Sequence, residues 1–251
     1  MKIDILLGHT SFFHQTSMDN FLHYLNEEET KRYHQFHFVS DKEVYILSRI
    51  LLKTALTRYQ PDVSLQSWQF STNKYGKPFI VFPQLTKTVF FNLSHTTDTV
   101  AIAISSHCEL GIDIEKIRDL GSSYQASYLN ISQHFFTSQE ATDIDSLPPY
   151  EGQLLFWKIW TLKEAYIKYR GKGLSLGLDC IEFDLTNKKL TSQYRGSPVY
   201  FSQWKICDSL LALASPLIAP KITLQLFPIQ PKNYHHDYQL IHSSNSQNVS
   251  F

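Results

Sequence analysis

The stretch LKTALTRY at residues 52–59 returns as LKEAYIKY at residues 162–169. Four of the eight positions are identical, and a fifth exchanges arginine for lysine. Both copies close a segment with helical apolar periodicity, roughly 41–59 and 151–170, and strand patterns follow both. Helices share composition, so the match alone fits coincidence as well as duplication. With its surroundings it predicts an α+β fold made of two similar α/β lobes, a pseudo-dimer within one chain. Each lobe is expected to pack a small, mostly antiparallel sheet on a long helix, with a ligand cleft between the lobes. The expected division is an N-terminal lobe over 1–106, a C-terminal lobe over 107–220, and an extension over 221–251 that turns polar at Pro228 and is partly disordered.

Working outward, Ser40 and Glu43 have capping-box spacing at the start of the first long helix. Val44, Leu47, Leu51, Ala55 and Leu56 form its apolar face. Asn26 is a candidate cap for a shorter helix before it, with Glu27–Glu29 in the first turn. Strands are predicted at 2–7, 66–70, 79–82, 88–93, 98–105, 109–115, 178–186 and within 199–215. In 98–105, Val100, Ile102 and Ile104 share one face and small residues the other. Residues 118–150 read as helix and loop, and the second long helix stops at Gly171.

Composition narrows the function classes. The 251 residues carry 23 basic and 23 acidic side chains, so no global field favours nucleic acid, and an anionic ligand needs a local cluster. Hydrophobic residues make up 43% and charged residues 18%, values of an ordinary globular protein. No apolar run approaches the roughly 18 residues that span a bilayer. The start MKIDILLGHTSFF reads as a strand rather than a leader. Three widely spaced cysteines without metal-binding spacing suggest a reducing compartment, and a cytoplasmic protein is expected.

The chemistry-bearing residues fall in four segments. In GIDIE, residues 111–115, Asp113 and Glu115 project to one face of a strand while Ile112 and Ile114 project to the other. Paired carboxylates suit a divalent cation such as Mg²⁺, although on the pair alone a solvated strand face is the more ordinary explanation. In WKIWTLKEAYIKYRGKG, residues 157–173, Trp160, Glu164 and Lys168 fall on one helix face. That is either a surface ion pair or a third carboxylate beside a phosphate-binding lysine. Lys163 points about 100° away, and Lys168, Arg170 and Lys172 form a local basic patch. In YGKP, residues 75–78, a turn displays Lys77 at a strand entrance. In FNLSH, residues 91–95, Ser94 and His95 end a strand and offer phosphate-binding groups, or a structural histidine.

Together these segments resemble the 4'-phosphopantetheinyl transferase superfamily. GIDIE is followed about 45 residues later by W-x-x-KEA-x-x-K, and YGKP, FNLSH and GKGL (171–174) fit its two-lobed, surfactin-synthetase-activating type. The resemblance runs from about residue 28 to 215. It implies an enzyme that moves the phosphopantetheine arm of coenzyme A to a serine of an acyl or peptidyl carrier protein, releasing adenosine 3',5'-bisphosphate. It implies Mg²⁺, with Mn²⁺ as a substitute, on Asp113, Glu115 and Glu164. Glu164 is then the candidate base and Lys168 the pyrophosphate contact, so Asp113, Glu164 and Lys168 form the catalytic set. Lys77, Ser94, His95, Lys163 and Lys168 fall on coenzyme A-binding positions, with Trp160 shaping the wall. A monomer is expected, with no nucleic acid or membrane partner.

The chain departs from the pattern at Val44, where some members carry an arginine for the 3'-phosphate; Arg49 and Arg32 are the candidates to supply that charge. Two other readings stand beside the transferase: a module that binds coenzyme A or a carrier without catalysis, and another Mg²⁺-dependent phosphoryl-transfer enzyme. Neither a Walker-type loop nor a kinase-like glycine loop is present to support the latter. Tyr128, Phe135 and Phe136 are either carrier-docking or core residues.

Overall fold

The computed structural model describes residues 1–85, 88–117, 125–185, 191–193, 198–227, 238–243 and 249–250. The N-terminal lobe opens with β1 (Lys2–His9), passes through two short 3-10 turns and α1 (Glu27–Gln35), and reaches the long α2 (Val39–Tyr59). A small hairpin, β2 (Gln69–Thr72) and β3 (Pro78–Phe82), precedes β4 (Phe90–His95) and β5 (Thr99–Ser105). The second lobe opens with β6 (Gly111–Lys116), followed by α3 (Gln125–Phe135), α4 (Ser138–Asp145) and the long α5 (Pro149–Arg170). The hairpin of β7 (Glu182–Asp184) and β8 (Thr191–Gln193) leads to β9 (Tyr200–Ile206) and β10 (Ser209–Ser215). Then come β11 (Lys221–Phe227), β12 (Tyr238–Ser243) and β13 (Val249–Ser250).

Beside the two hairpins, the described strands form two larger sheets, in the orders β13-β11-β1-β5-β4 and β12-β9-β10-β6. Their strands alternate as the period of two requires. Ile3, Ile5 and Leu7 of β1, with Ala101 and Ala103 of β5, meet Ile112 and Ile114 of β6 and Leu211 and Leu213 of β10 in one core. On the opposite face of the first sheet, Leu6, Val100, Ile102 and Ile104 pack on Val44, Leu47, Leu51 and Ala55 of α2. Ala212 and Ala214 pack on Leu162, Ala165 and Tyr166 of α5. The layers therefore run helix, sheet, sheet, helix, and the apolar face expected for 98–105 is the one turned to α2.

The repeat seen in the sequence is structural. Each lobe builds a strand, a long helix and a two-strand hairpin in the same order. The first strands share a pattern, Lys2-Ile3-Asp4-Ile5 against Gly111-Ile112-Asp113-Ile114. Lys53 and Lys163, at matching places in the repeat, are both fully buried. Lys53 pairs with Glu29 at 2.5 Å, and Lys163 pairs with Glu140 at 2.7 Å. Glu29 and Glu140 are each the third residue of a helix closed by a capping box, with Asn26 and Thr137 as caps. Each lobe thus ties its long helix to a short one through one buried lysine.

The lobes differ at their edges. β11 pairs in parallel with β1, covering that edge of the first sheet. β12 pairs with β9 and covers the corresponding edge of the second. β4 and β6 are end strands of their sheets and face each other across the cleft.

Several local expectations shift. Residues 221–227, placed outside both lobes by composition, form β11; Ile222 and Leu224 are buried in the shared core. Residues 238–243 and 249–250 are strands, whereas 228–237 and 244–248 lie outside the described residues. The helix expected near 41 starts at Val39, with Phe38 as a cap that has no side-chain hydrogen bond. Ser40 therefore sits inside the first turn, and its capping box with Glu43 does not form. Asn26 does cap α1. The 199–215 stretch is two strands turned at Cys207 and Asp208. No described helix is long and apolar enough to cross a membrane.

Candidate active site

The site lies where the edge strands β4 and β6 meet the C-terminal half of α5. Asn92 Oδ1 accepts the Ile112 amide at 2.9 Å, satisfying a donor on the open edge of β6. This bond sets the register that brings Ser94 opposite Asp113. Gly111 lets α5 come close: a Cβ there would overlap the Ala165 carbonyl oxygen and the Tyr169 amide, and would lie 2.8 Å from Tyr169 Cα. Only glycine fits under the helix, and its absent side chain brings Glu164 and Lys168 down onto the strand.

Asp113 is 2% exposed. Its Oδ1 accepts from Lys168 Nζ at 2.6 Å and from Ser94 Oγ at 2.8 Å. Lys168 also donates to Ser94 Oγ at 2.7 Å. Asp113 Oδ2 is buried with no hydrogen-bond partner among the described residues. An unpaired buried carboxylate oxygen costs about 1–3 kcal/mol or more, which a further positive group at Oδ2 would offset.

The two other acids feel this charge. Burial and then Asp113 push the Glu115 carboxyl up to about 7, while the Trp160 indole and Lys168 pull the other way. Trp160 Nε1 donates to Glu115 Oε1 at 3.2 Å. Burial, followed by Asp113, also raises the Glu164 carboxyl, with Lys168 opposing. Three carboxylates therefore share one electrostatic neighbourhood, as repelling acids do when under-neutralised.

They do not form a ready-made cage. Among the described residues, no three His, Cys, Asp or Glu side chains converge as a metal cluster. Mutual repulsion explains the spread, and Lys168 supplies the positive charge nearest Asp113. Mg²⁺ usually takes only one or two carboxylates, completing its shell with water and substrate phosphate. The buried, unpartnered Asp113 oxygen and the raised carboxyls fit such an ion.

Of the expected binding residues, Ser94 and Lys168 meet at Asp113. His95 follows on the exposed end of β4, its Nδ1 3.2 Å from the Thr96 carbonyl oxygen. Lys163 is a correction: it is fully enclosed, donating to the Leu178 and Ile181 carbonyls and pairing with Glu140. One position along a helix turns a side chain by about 100°, which sends Lys163 into the lobe interior while Glu164 faces the cleft. Lys77 lies 2.7 Å from Glu109 and donates to the Tyr169 carbonyl at 3.2 Å. Arg49 lies over the Tyr45 and Phe70 rings, 3.6 Å from Glu29, and Arg32 lies over Phe36; neither contacts the acids. Val44 is core. Tyr128 and Phe136 are also core, Phe136 stacking on Phe156, whereas Phe135 is half-exposed.

Sequence reasoning missed Asn92, Asn73 and Glu140. Asn92 was legible as a polar residue on the inward face of an apolar strand. Glu140 was legible as the third residue of a Thr137–Glu140 capping-box pattern and Asn73 as the asparagine of a glycine-containing turn, but their partners Lys163 and Gly171 lie in distant segments that no local pattern marks.

Comparison with known proteins agrees with this geometry. A family model described as 4'-phosphopantetheinyl transferase superfamily matches residues 109–220, and one described as 4'-phosphopantetheinyl transferase, N-terminal, matches residues 14–107. The 4'-phosphopantetheinyl transferase Sfp of Bacillus subtilis (strain 168) is 34% identical over 166 residues, covering 66% of this chain and 68% of that protein. The transferase gsp of Aneurinibacillus migulanus is 29% identical over 199 residues, covering 75% and 78%. The L-aminoadipate-semialdehyde dehydrogenase-phosphopantetheinyl transferase of Rattus norvegicus is 28% identical, covering 64% of this chain and 53% of that protein. With both lobes matched by the family models and a 34% identical relative covered over 68% of its length, the chain belongs to the 4'-phosphopantetheinyl transferase superfamily.

Proposed function

We propose that Asp113, Glu115 and Glu164 hold the divalent cation with which this transferase moves the 4'-phosphopantetheine arm of coenzyme A onto a serine of an acyl or peptidyl carrier protein. The observation that carries this reading is the orphaned Asp113 Oδ2, buried beside two carboxyls whose acidity is suppressed. When bound, Mg²⁺ neutralises charge that develops on the pyrophosphate during phosphoryl transfer.

The chain's own groups do the positioning. Ser94 and Lys168, already in contact, offer a hydroxyl and an ammonium to phosphate oxygens. Glu164 has no hydrogen bond or ion pair among the described residues, and its raised carboxyl is suited to accept the proton of the carrier serine. The serine oxygen then bonds to phosphorus as adenosine 3',5'-bisphosphate leaves. Both lobes line the cleft, which supports action as a monomer. A reducing cytoplasm is the compartment that fits three widely spaced cysteines without metal-binding spacing.

The test is mass spectrometry of an apo carrier protein incubated with the enzyme, coenzyme A and Mg²⁺. The carrier should gain one phosphopantetheine. Asp113→Ala and Glu164→Gln should each lower turnover by at least about 10²–10³, the scale for one electrostatic group acting on a transition state. Near-normal turnover in both variants at saturating Mg²⁺ would dismiss the site.

A further inference from the structure

Two glycine-containing turns, 73–77 and 171–173, come from opposite lobes and interlock. Asn73 Nδ2 donates to the Gly171 carbonyl at 2.8 Å. Asn73 Oδ1 accepts the Tyr75 and Lys77 amides at 2.9 and 3.0 Å, which folds the 73–77 turn around the asparagine. Lys77 Nζ then reaches three oxygens: Glu109 at 2.7 Å, the Tyr169 carbonyl at 3.2 Å and the Leu110 carbonyl at 3.4 Å. Gly171 is left-handed, with φ of 62°, and a Cβ there would lie 2.9 Å from Lys77 Cδ.

These contacts fall on the last turn of α5. A helix ends in carbonyls without intrahelical donors, and it ends at partial negative charge. Asn73 and Lys77 supply donors and a cation to that end, and Lys77 simultaneously ties it to the entrance of β6. Lys168, which reaches Asp113 and Ser94, lies on the same turn of α5. The side chain of Lys77 is only 15% exposed, its ammonium surrounded by acceptors.

We infer that the Asn73–Lys77 turn is a clamp on the C-terminal end of α5, and that Lys77 and Asn73 are positioning residues for the transferase reaction. They hold Lys168 and Glu164 in register with Ser94 and Asp113 across the lobe boundary. Lys77 acts through the helix, and its cation is committed to the protein. The resemblance implied instead that this lysine binds coenzyme A. The clamp rests on the transferase reading only for its effect on turnover; its effect on α5 stands apart from it.

Two variants separate the possibilities. Asn73→Asp keeps the oxygen that folds the turn and loses the donor to Gly171. Lys77→Met keeps the aliphatic stem and loses the ammonium. Hydrogen exchange on the unliganded protein should show roughly ten-fold weaker protection of amides near 167–171 in both. Steady-state kinetics should show kcat lowered roughly ten-fold, with KM for coenzyme A within about two-fold of wild type. A rise in KM of ten-fold or more with kcat and exchange unchanged would overturn the clamp and return Lys77 to the ligand. Should the wild type transfer nothing, the transferase reading fails, and the exchange measurement still decides the clamp. If Lys77→Met does not fold, Asn73→Asp alone decides it by the same two readouts.

Discussion

Replacing Lys163 by methionine is the sharpest check on what the KEA segment does. The residue precedes Glu164, and the family resemblance implied that it binds coenzyme A. The structure surrounds it with Glu140 Oε2 and the carbonyls of Leu178 and Ile181, at 2.7, 2.7 and 2.5 Å. Its side chain is 0% exposed and that of Glu140 1%, so no water can replace the lost ammonium. Methionine keeps most of the volume and removes the charge. Glu140 would still accept the Thr137 and Phe183 amides, but it would remain buried without its cation. Breaking a buried pair from one side costs about 3–5 kcal/mol. For a chain of this size, 1 kcal/mol moves Tm by about 2–4 °C, so a fall of about 6–20 °C is expected. Urea unfolding should show the same loss, and the folded fraction should keep a normal KM for coenzyme A. The double variant Lys163→Met/Glu140→Leu should recover part of the loss, because it removes both buried charges. Lys53→Met should lose a similar amount, since Lys53 and Glu29 form the matching pair in the other lobe. An unchanged unfolding midpoint together with a ten-fold higher KM would refute this assignment and make Lys163 a ligand contact.

Two further outcomes follow from the cleft. Gly111→Ala forces a methyl into the backbone of α5 at Ala165 and Tyr169; overpacking of this kind costs about 1–3 kcal/mol or more, and turnover should fall along with the unfolding midpoint, whereas a wild-type midpoint would show that the helix has room to move. Glu115 should make stability fall as pH rises, because its folded carboxyl holds a proton up to about 7 while an unfolded one ionises near 4.5. Between those values the folded state binds more protons, so the contribution is full below about 4.5 and is lost through about 7. Screening by solvent reduces it to roughly 1–2 kcal/mol. Denaturation midpoints taken across that range without divalent cation should slope downward for wild type and flatten for Glu115→Gln; parallel slopes in the two proteins would exclude Glu115 as the source.

Much of the site was readable because its grammar is local. Asp113 and Glu115 follow from strand alternation, and Trp160, Glu164 and Lys168 from helical spacing. The apolar faces of α2 and β5 follow from the same periodicities. The capping box at Ser40 failed because the helix begins one residue earlier, at Val39, which puts Ser40 inside the first turn rather than at the cap. The strand β11 was missed because a polar tail conceals short alternating runs, and its partner β1 lies more than 200 residues away. Lys163 was misassigned because a helix position specifies an angle but not what stands in that direction.

The sequence by itself determined the two-lobed duplication, the acidic strand and the helix that carries a third acid, since each depends on intervals of two to four residues along one element. Tertiary structure decided which charges are spent and which are left over. It consumed Lys163 and Lys53 in tying helices together inside their own lobes and Lys77 in joining one lobe to the other, and among the described residues it left one oxygen of Asp113 buried without a partner. The physical reason is that an ionised side chain takes its role from the desolvation and the partners that distant segments impose, and no local pattern records them.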